Sequence, residues 1–511
     1  MPHRILARPS RPASPPRVET DPTVVASFLS DAAHVPGGFA AGVAFPRDEN
    51  EVAALVAGAA RVLPVGAQSS LTGGATPRGE TVLSLRACAA IGDPSGGRVR
   101  VGAGVPLSAL QQRLAASGLY YPPVPTYDGA FVGGTVSTNA AGAATFKYGS
   151  VRPWVTGLTV VLADGHVLDL RRGEVHASPE GHFDVVLPSG DVRRVPVPTY
   201  RMPDVAKLSA GYFARPGMDL VDLFIGSEGT LGVIVDAELR IVPRPRRTAA
   251  LVRCADDAQA VALTAALRHA ARTAWSGRPG LDVAAIEYMD ARALRTVPDE
   301  AFTRAGVTRP GGGAVLLLLQ IEGDEDAAVE RLHTALGDCG IADDPVLALP
   351  GDDRAATRLF ELREAVPAGV NAVVAAAKVR AHPDIEKTAG DMVVPFERLA
   401  ESIALYRSTF ERAGLDYAIW GHVSDGNLHP NVVPRTLDDV VRGRAALLEI
   451  ARDVMAMGGA PLAEHGVGRS AMKQTLLRAL YGDRGIEEMR AVKRALDPEW
   501  KLSPGVLFPP A

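Results

Sequence analysis

Three glycine-rich stretches crowd into roughly 200 residues of this chain. They are PVGAQSSLTGGA from Pro64 to Ala75, AFVGGTVSTNAAGAATFKYGSV from Ala130 to Val151, and FIGSEGTLGVI from Phe224 to Ile234. Small residues let backbone amides approach an anion, and successive amides form an anion-binding nest. One such loop is as often a plain turn. Three in one unit predict an extended ligand with a diphosphate, approached closely by backbone at several points. Two common nucleotide folds are excluded. No loop reads GxxxxGK[ST], so no lysine meets a γ-phosphate, and none reads GxGxxG with an acidic residue after it.

The elements around these loops predict an α+β fold, not a regularly wound βαβ sheet. RVLPVGA reads as a strand entering a tight loop, and RVRVGAGV as a β run. PLSALQQRLAASG reads as a helix with Pro106 near its first turn, apolar Leu107, Leu110 and Leu114, and Gly118 as a stop. LTVVLADGHVLDL and HFDVVLPSGDVRRV read as hairpins with Asp-Gly and Ser-Gly turns. PRPRR, from Pro243 to Arg247, marks a boundary, with Arg246 and Arg247 expected in solvent. Beyond it, strand, helix, strand, strand and helix suit an antiparallel sheet with helices on one face. The expected division is a flexible tail over 1–36, a ligand-binding domain over 37–245, a cap over 246–459 and a closing segment over 460–511.

Composition narrows the class. Fifty-four basic against fifty-eight acidic residues leave a net charge of −4, which argues against a nucleic-acid binder. The three cysteines, Cys88, Cys254 and Cys339, are far apart and form no CxxC, so no iron–sulfur cluster or zinc ribbon is expected. The Pro- and Arg-rich first twenty residues lack the apolar core of a secretory signal. No apolar run approaches a membrane span. A cytoplasmic protein, at most peripheral to a membrane, is the expectation.

Chemistry concentrates near the C-terminus. GHVSDGNLHP carries His422 and His429, and AEHGVGR carries Glu464 and His465. YAIWGHV reads as a strand, and NLHPNVVP as its partner after a DG turn. Two histidines flanking such a turn can face each other. Imidazoles with a carboxylate suit zinc, and also admit manganese or iron. His422, His429 and Glu464 would leave an open coordination position, as a catalytic site requires. His465, adjacent to Glu464, is expected to point elsewhere.

The ordered set PVGAQSSLTGGA, VGGTVSTNAAG, KYG, VVLADG, GSEGTLGVI, LREAVP, DMVVP, GHVSDGNLHP, EHGVGR and LDPEWKLSPG carries a resemblance. The chain resembles PCMH-type FAD-binding flavoproteins of the vanillyl-alcohol oxidase superfamily. Within them it is similar to the D-lactate dehydrogenase, glycolate oxidase and D-2-hydroxyglutarate dehydrogenase branch. The resemblance implies a two-part FAD domain, an antiparallel cap and a C-terminal segment returning to the flavin. It implies that Pro64, Val65, Gly66, Ala67, Gln68, Ser69, Ser70 and Leu71 wrap the diphosphate. Gly133, Gly134, Thr135, Ser137 and Asn139 would line the flavin and ribityl chain. Glu228, Gly229, Gly232 and Val233 would complete the adenine and ribose side. The PVGAQSS loop holds no histidine, so noncovalent FAD is expected. The sequence departs from the usual pattern at Val65, Gln68, Ala141 and Ser503, which stand for Arg, Gly, Gly and Asn.

The same resemblance makes His465 the base and supports Glu464 as the third ligand of a divalent metal, zinc being the expected ion. Asn427 is a candidate to hydrogen-bond the substrate. Arg363 in LREAVP and Lys387 before DMVVP are candidate carboxylate binders, and Lys207 and Tyr212 in KLSAGYF lie near the third loop. The implied reaction is oxidation of a small D-2-hydroxy acid to the 2-oxo acid. Its electrons would pass to an external acceptor: an electron-transfer protein, a quinone or oxygen. A homo-oligomer or a subunit of a larger oxidase is expected. The alternatives are a non-redox flavoenzyme of the alkylglycerone-phosphate synthase type, whose histidine run is missing here, or a flavin-binding electron-transfer subunit.

Overall fold

The computed structural model describes residues 2–123 and 125–509. The first sheet joins strands Val18–Glu19, Gly42–Ala44, Thr81–Ser84 and Val62–Val65 in that order, the last three being parallel. The helix Glu49–Gly58 links two of them, capped by Asp48, whose carboxylate accepts from the Asn50 and Glu51 amides. The second sheet is antiparallel and runs Arg98–Gly102, Val233–Arg240, Val155–Val161 and Val167–Arg171. Both predicted hairpins form, Val155–Val161 with Val167–Arg171 and His182–Val186 with Val192–Pro196. The predicted helix spans Leu107–Ala115, with Leu107, Leu110 and Leu114 buried and Pro106 as its N-cap.

Residues 2–36 are not a loose tail. Strand Arg4–Leu6 pairs with His182–Val186, and Val18–Glu19 pairs with Gly42–Ala44. Ala7 is buried in the core, and Arg8 forks onto Glu49 at 2.8 and 2.9 Å while also reaching Asp169. The prolines that argue for disorder, Pro2, Pro9, Pro12, Pro15 and Pro16, lie outside both short strands.

The cap is an antiparallel sheet ordered Val346–Ala348, Arg247–Cys254, Val315–Glu322, Val283–Met289, Tyr417–His422, Asn427–Val432 and Thr388–Ala389. Helices cover both of its faces, not one. Ala250, Val252 and Cys254 share a core with helices Asp257–Trp275 and Glu325–Asp338. Their neighbours Ala249 and Leu251 pack with helices Asp299–Ala305 and Asp353–Arg380. The strands are apolar on both sides, as a strand covered twice must be. The 28-residue helix Asp353–Arg380 carries LREAVP and contains Pro367.

Arg247 is not in solvent. Its guanidinium lies 4.3 Å from the Tyr120 ring centre and 3.0 Å from Glu322 Oε1. Arg246 behaves as expected, exposed beside Glu325. Lys147 reaches both Glu322 and Asp282 at 2.6 Å, so this cluster ties the first domain to the cap. Residues 501–503 return to the first sheet, where Val62 N donates to Lys501 O at 2.9 Å and Ser503 N to Val62 O at 2.8 Å. No described helix is long and apolar enough to cross a membrane.

Candidate active site

The three glycine loops line one cavity of about 290 Å³. Pro64, Val65, Gly66, Gln68, Ser69, Ser70 and Leu71 line it from the first loop, Gly133, Gly134, Thr135 and Ser137 from the second, and Glu228, Gly229, Gly232 and Val233 from the third. Glu464 and His465 also line it, so the cavity reaches the C-terminal chemistry. Tyr127, Phe131 and Val506 line it too, although the motifs did not single them out. Ala67 and Asn139 do not. Asn139 is a brace, donating to Leu208 O at 3.2 Å and accepting from Arg152 N at 3.1 Å.

Two observations fit this cavity to a dinucleotide. Among the described residues, the backbone amides of Ala67, Gln68, Ser69, Ser70 and Leu71 meet no protein acceptor. Unpaired donors in succession are what a diphosphate requires. A Cβ added to Gly134 would meet nothing within 4 Å, so packing does not explain that glycine, whereas a ligand in the cavity does.

Glu228 lines the cavity, and both of its carboxylate oxygens are engaged by backbone amides. Its Oε1 accepts from Val467 N and its Oε2 from Gly468 N, both at 2.8 Å. It clamps the third loop to EHGVGR. Burial pushes its pKa up, against those two bonds.

The histidines sit on a hairpin, strands Tyr417–His422 and Asn427–Val432. His429 pairs with Trp420, and His422 with Asn427, so the two imidazoles lie diagonally on one face, ring centres 5.7 Å apart. Three Nε2 atoms gather on Glu464 Oε1: His422 at 3.3 Å, His429 at 3.2 Å and His465 at 3.6 Å. His465 therefore does not point away from Glu464. Glu464 and His465 both line the cavity, and Gly466 follows them at φ +75°. His429 Nδ1 and Asn427 Oδ1 are buried without a hydrogen-bond partner, and Asn427 Nδ2 donates to Met392 O at 2.8 Å. Buried nitrogen and carboxylate donors converging on one point fit a divalent metal ion.

Further charged residues complete the cluster. Asp391 Oδ2 accepts from the Glu464 and His465 amides at 3.1 and 2.9 Å, and lies 3.4 Å from His465 Nδ1. Asp391, His429, Glu464 and His465 offer ligand atoms within 4.8 Å of one another, a set that omits His422. Lys207 is fully buried, with Nζ 3.0 Å from both Glu464 Oε2 and Asp425 Oδ2. Glu287 accepts from His422 Nδ1 and from Arg363 Nε, the latter at 2.6 Å. Burial alone would lower the His422 pKa, but Glu287 and Glu464 outweigh it and raise it to about 9. Burial pulls His465 below its ordinary range, against the pull of Asp391, so its ring is neutral at neutral pH. Arg363 is buried beside Glu287 and Glu364, and Lys387 lies 5.8 Å from the Trp420 ring centre. Neither lines the cavity. Tyr212 is structural, its hydroxyl 2.7 Å from Thr230 Oγ1. Asp391 stood in DMVVP without a role, and Glu287 sat unremarked in an otherwise apolar strand. A lone carboxylate in such a strand was the available signal.

Fold and site together define a flavin-dependent oxidoreductase. The sequence matches the family described as "FAD linked oxidases, C-terminal domain" over residues 245–507, and "FAD binding domain" over residues 40–171. The chain belongs to the FAD-linked oxidase family, within the PCMH-type flavoproteins. It is 27% identical to "Glycolate oxidase subunit GlcD" of Bacillus subtilis, covering 88% of this chain and 83% of that protein. It is 29% identical to "D-lactate dehydrogenase" of Archaeoglobus fulgidus, over 90% and 89% of the two chains. It is also 29% identical to "D-2-hydroxyglutarate dehydrogenase" of Xanthomonas citri, over 91% and 89%. A solved alkyldihydroxyacetonephosphate synthase shares the fold, with TM-score 0.61 and 14% identity, covering 98% of this chain and 88% of that one.

Proposed function

We propose that this enzyme oxidises a D-2-hydroxy acid of the lactate, glycolate or 2-hydroxyglutarate type to the corresponding 2-oxo acid. The observation that carries this reading is the gathering of His422, His429 and His465 on Glu464, where the glycine-lined cavity ends. The names of the relatives support the substrate class.

FAD, held noncovalently along the three glycine loops, would supply the acceptor for the substrate's Cα hydride. A divalent ion, zinc by its donor set, would be held by His422, His429 and Glu464 and would supply polarisation of the substrate hydroxyl. His465 accepts the hydroxyl proton at a ring nitrogen, as a neutral imidazole can. Arg363 lies outside the glycine-lined cavity, on the cap-sheet side that carries His422, and would meet the substrate carboxylate through Nη2, the guanidinium nitrogen that neither Glu287 nor Glu364 engages. Asn427 Oδ1 is a buried acceptor for a substrate donor. Lys387, on the same sheet face as His422, adds a positive charge with no carboxylate partner among the described residues. Electrons leave to an external acceptor, since the chain has no cysteine cluster to relay them. A cytoplasmic place, as a homo-oligomer or as a subunit of a larger oxidase, belongs to the same reading.

The test is anaerobic bleaching of the flavin absorbance with a panel of D- and L-2-hydroxy acids. Bleaching by at least one D-acid is expected, and bleaching by none sinks the proposal. Dialysis against a chelator is expected to slow the reduction, and added zinc to restore it. Unchanged rates in protein shown to be metal-free would remove the metal from the reading.

A further inference from the structure

Glu287 is the one charged residue of strand Val283–Met289, and its side chain is 3% exposed. A carboxylate in an apolar strand is tolerated only when it is fully paired. Both oxygens are paired here. Oε1 accepts from His422 Nδ1, directly across the strand pair, and Oε2 accepts from Arg363 Nε at 2.6 Å. Arg363 comes from helix Asp353–Arg380, which packs on that sheet face. The three side chains thus come from three elements far apart in sequence.

We propose that Glu287 is a positioning residue that couples the metal-binding histidine to the substrate-binding arginine. The proposal rests on the metal-assisted reading above. A proton held on His422 Nδ1 by Glu287 leaves Nε2 to face a metal and fixes the ring plane. The same carboxylate engages Arg363 at Nε, so Nη2 is the nitrogen left for a substrate carboxylate. One buried side chain therefore sets the spacing between the metal and the carboxylate anchor. The plainer role would be counter-ion to Arg363 alone.

The experiment measures zinc affinity by chelator competition on FAD-loaded enzyme, for wild type, Glu287→Gln, and Glu287→Gln with Arg363→Met. His422→Ala identifies the zinc equivalent that belongs to this site. That control matters because His3, His182 and Asp184 form a second group with ligand atoms within 4.8 Å of one another. Loss of an outer-shell partner typically weakens metal binding about 10- to 100-fold. We expect that loss in Glu287→Gln with FAD content unchanged, together with a raised KM. We expect the weak zinc binding to persist in the double variant, because His422 still lacks its carboxylate. A mere counter-ion to Arg363 would instead give wild-type zinc affinity once both charges are gone. That result, or wild-type affinity in Glu287→Gln, overturns the coupling while leaving the metal reading intact. A wild-type enzyme that binds no zinc at this site overturns both. Should Glu287→Gln fail to fold, Glu287→Asp keeps the charge but withdraws it by one methylene. The same weakening is expected, and unchanged affinity again overturns the coupling.

Discussion

The residues whose roles matter most are those the fold leaves partly unsatisfied or strained. Gln68, Asn139, Glu228 and Ser503 hold φ values of +53°, +48°, +52° and +43°, a left-handed region that side chains avoid. All four lie on or beside the cavity loops, where local strain of about 1–3 kcal/mol each is held by the surrounding structure. Glu228 shows how. Replacing it with Ala leaves the Val467 and Gly468 amides unpaired, and each unsatisfied buried donor costs about 1–3 kcal/mol. Urea denaturation at fixed excess FAD should show a loss of about 2 kcal/mol or more, and no loss would refute the clamp. His465→Asn is expected to keep FAD and metal but to slow flavin reduction about 10²- to 10⁴-fold, as removal of a general base does. Stopped-flow reduction at saturating substrate checks it, and wild-type rates would mean another group takes the proton.

At the scale of elements, the second glycine loop is a short helix, Val132–Ser137, whose exposed side is the cavity wall. Two of its glycines have different causes. A Cβ on Gly133 would lie 2.5 Å from the Ala103 Cβ, so that glycine serves protein packing. Gly134 faces open cavity. Gly134→Ala should therefore fold as stably as wild type or slightly better, since Ala favours helix by up to about 1 kcal/mol. It should bind FAD at least several-fold more weakly, as read by flavin fluorescence titration. Equal FAD affinity would mean the ligand does not press on this helix. The histidine hairpin is an element of the other kind, in which strand alternation makes the site. Residues 420, 422, 427 and 429 share a face, so an H-x6-H spacing becomes a diagonal pair.

At the scale of the whole molecule, the flavin domain and the cap must stay in register, because the cavity lies in one and the histidine hairpin in the other. Glu322 is a joint between them, taking Lys147, Tyr148 and Arg247 together. Burial alone would raise its pKa, but Arg247, Lys147 and Tyr148 outweigh burial and hold it below the ordinary carboxylate range. A depressed carboxylate adds stability that is present above its unfolded pKa of about 4.3 and is lost as pH falls through the lower folded value. Thermal midpoints of wild type should therefore fall more steeply below about pH 4.5 than those of Glu322→Gln. Parallel curves would show that the joint carries no such linkage.

Sequence alone determined the glycine loops, the hairpins, the helix Leu107–Ala115 and the ligand-type residues of GHVSDGNLHP and AEHGVGR. These follow from turn chemistry and from periods of two and 3.6, which act over a few neighbouring residues. Tertiary structure alone decided that Arg4–Leu6 and Val18–Glu19 are strands, that helices cover both faces of the cap, and that Arg247 packs on Tyr120 and Glu322. It also brought Lys207 onto Glu464, 257 positions away, and Glu287 onto His422, 135 positions away. No local pattern encodes such pairs. They are fixed only when a buried charge must find its partner, because the interior tolerates no carboxylate or ammonium alone.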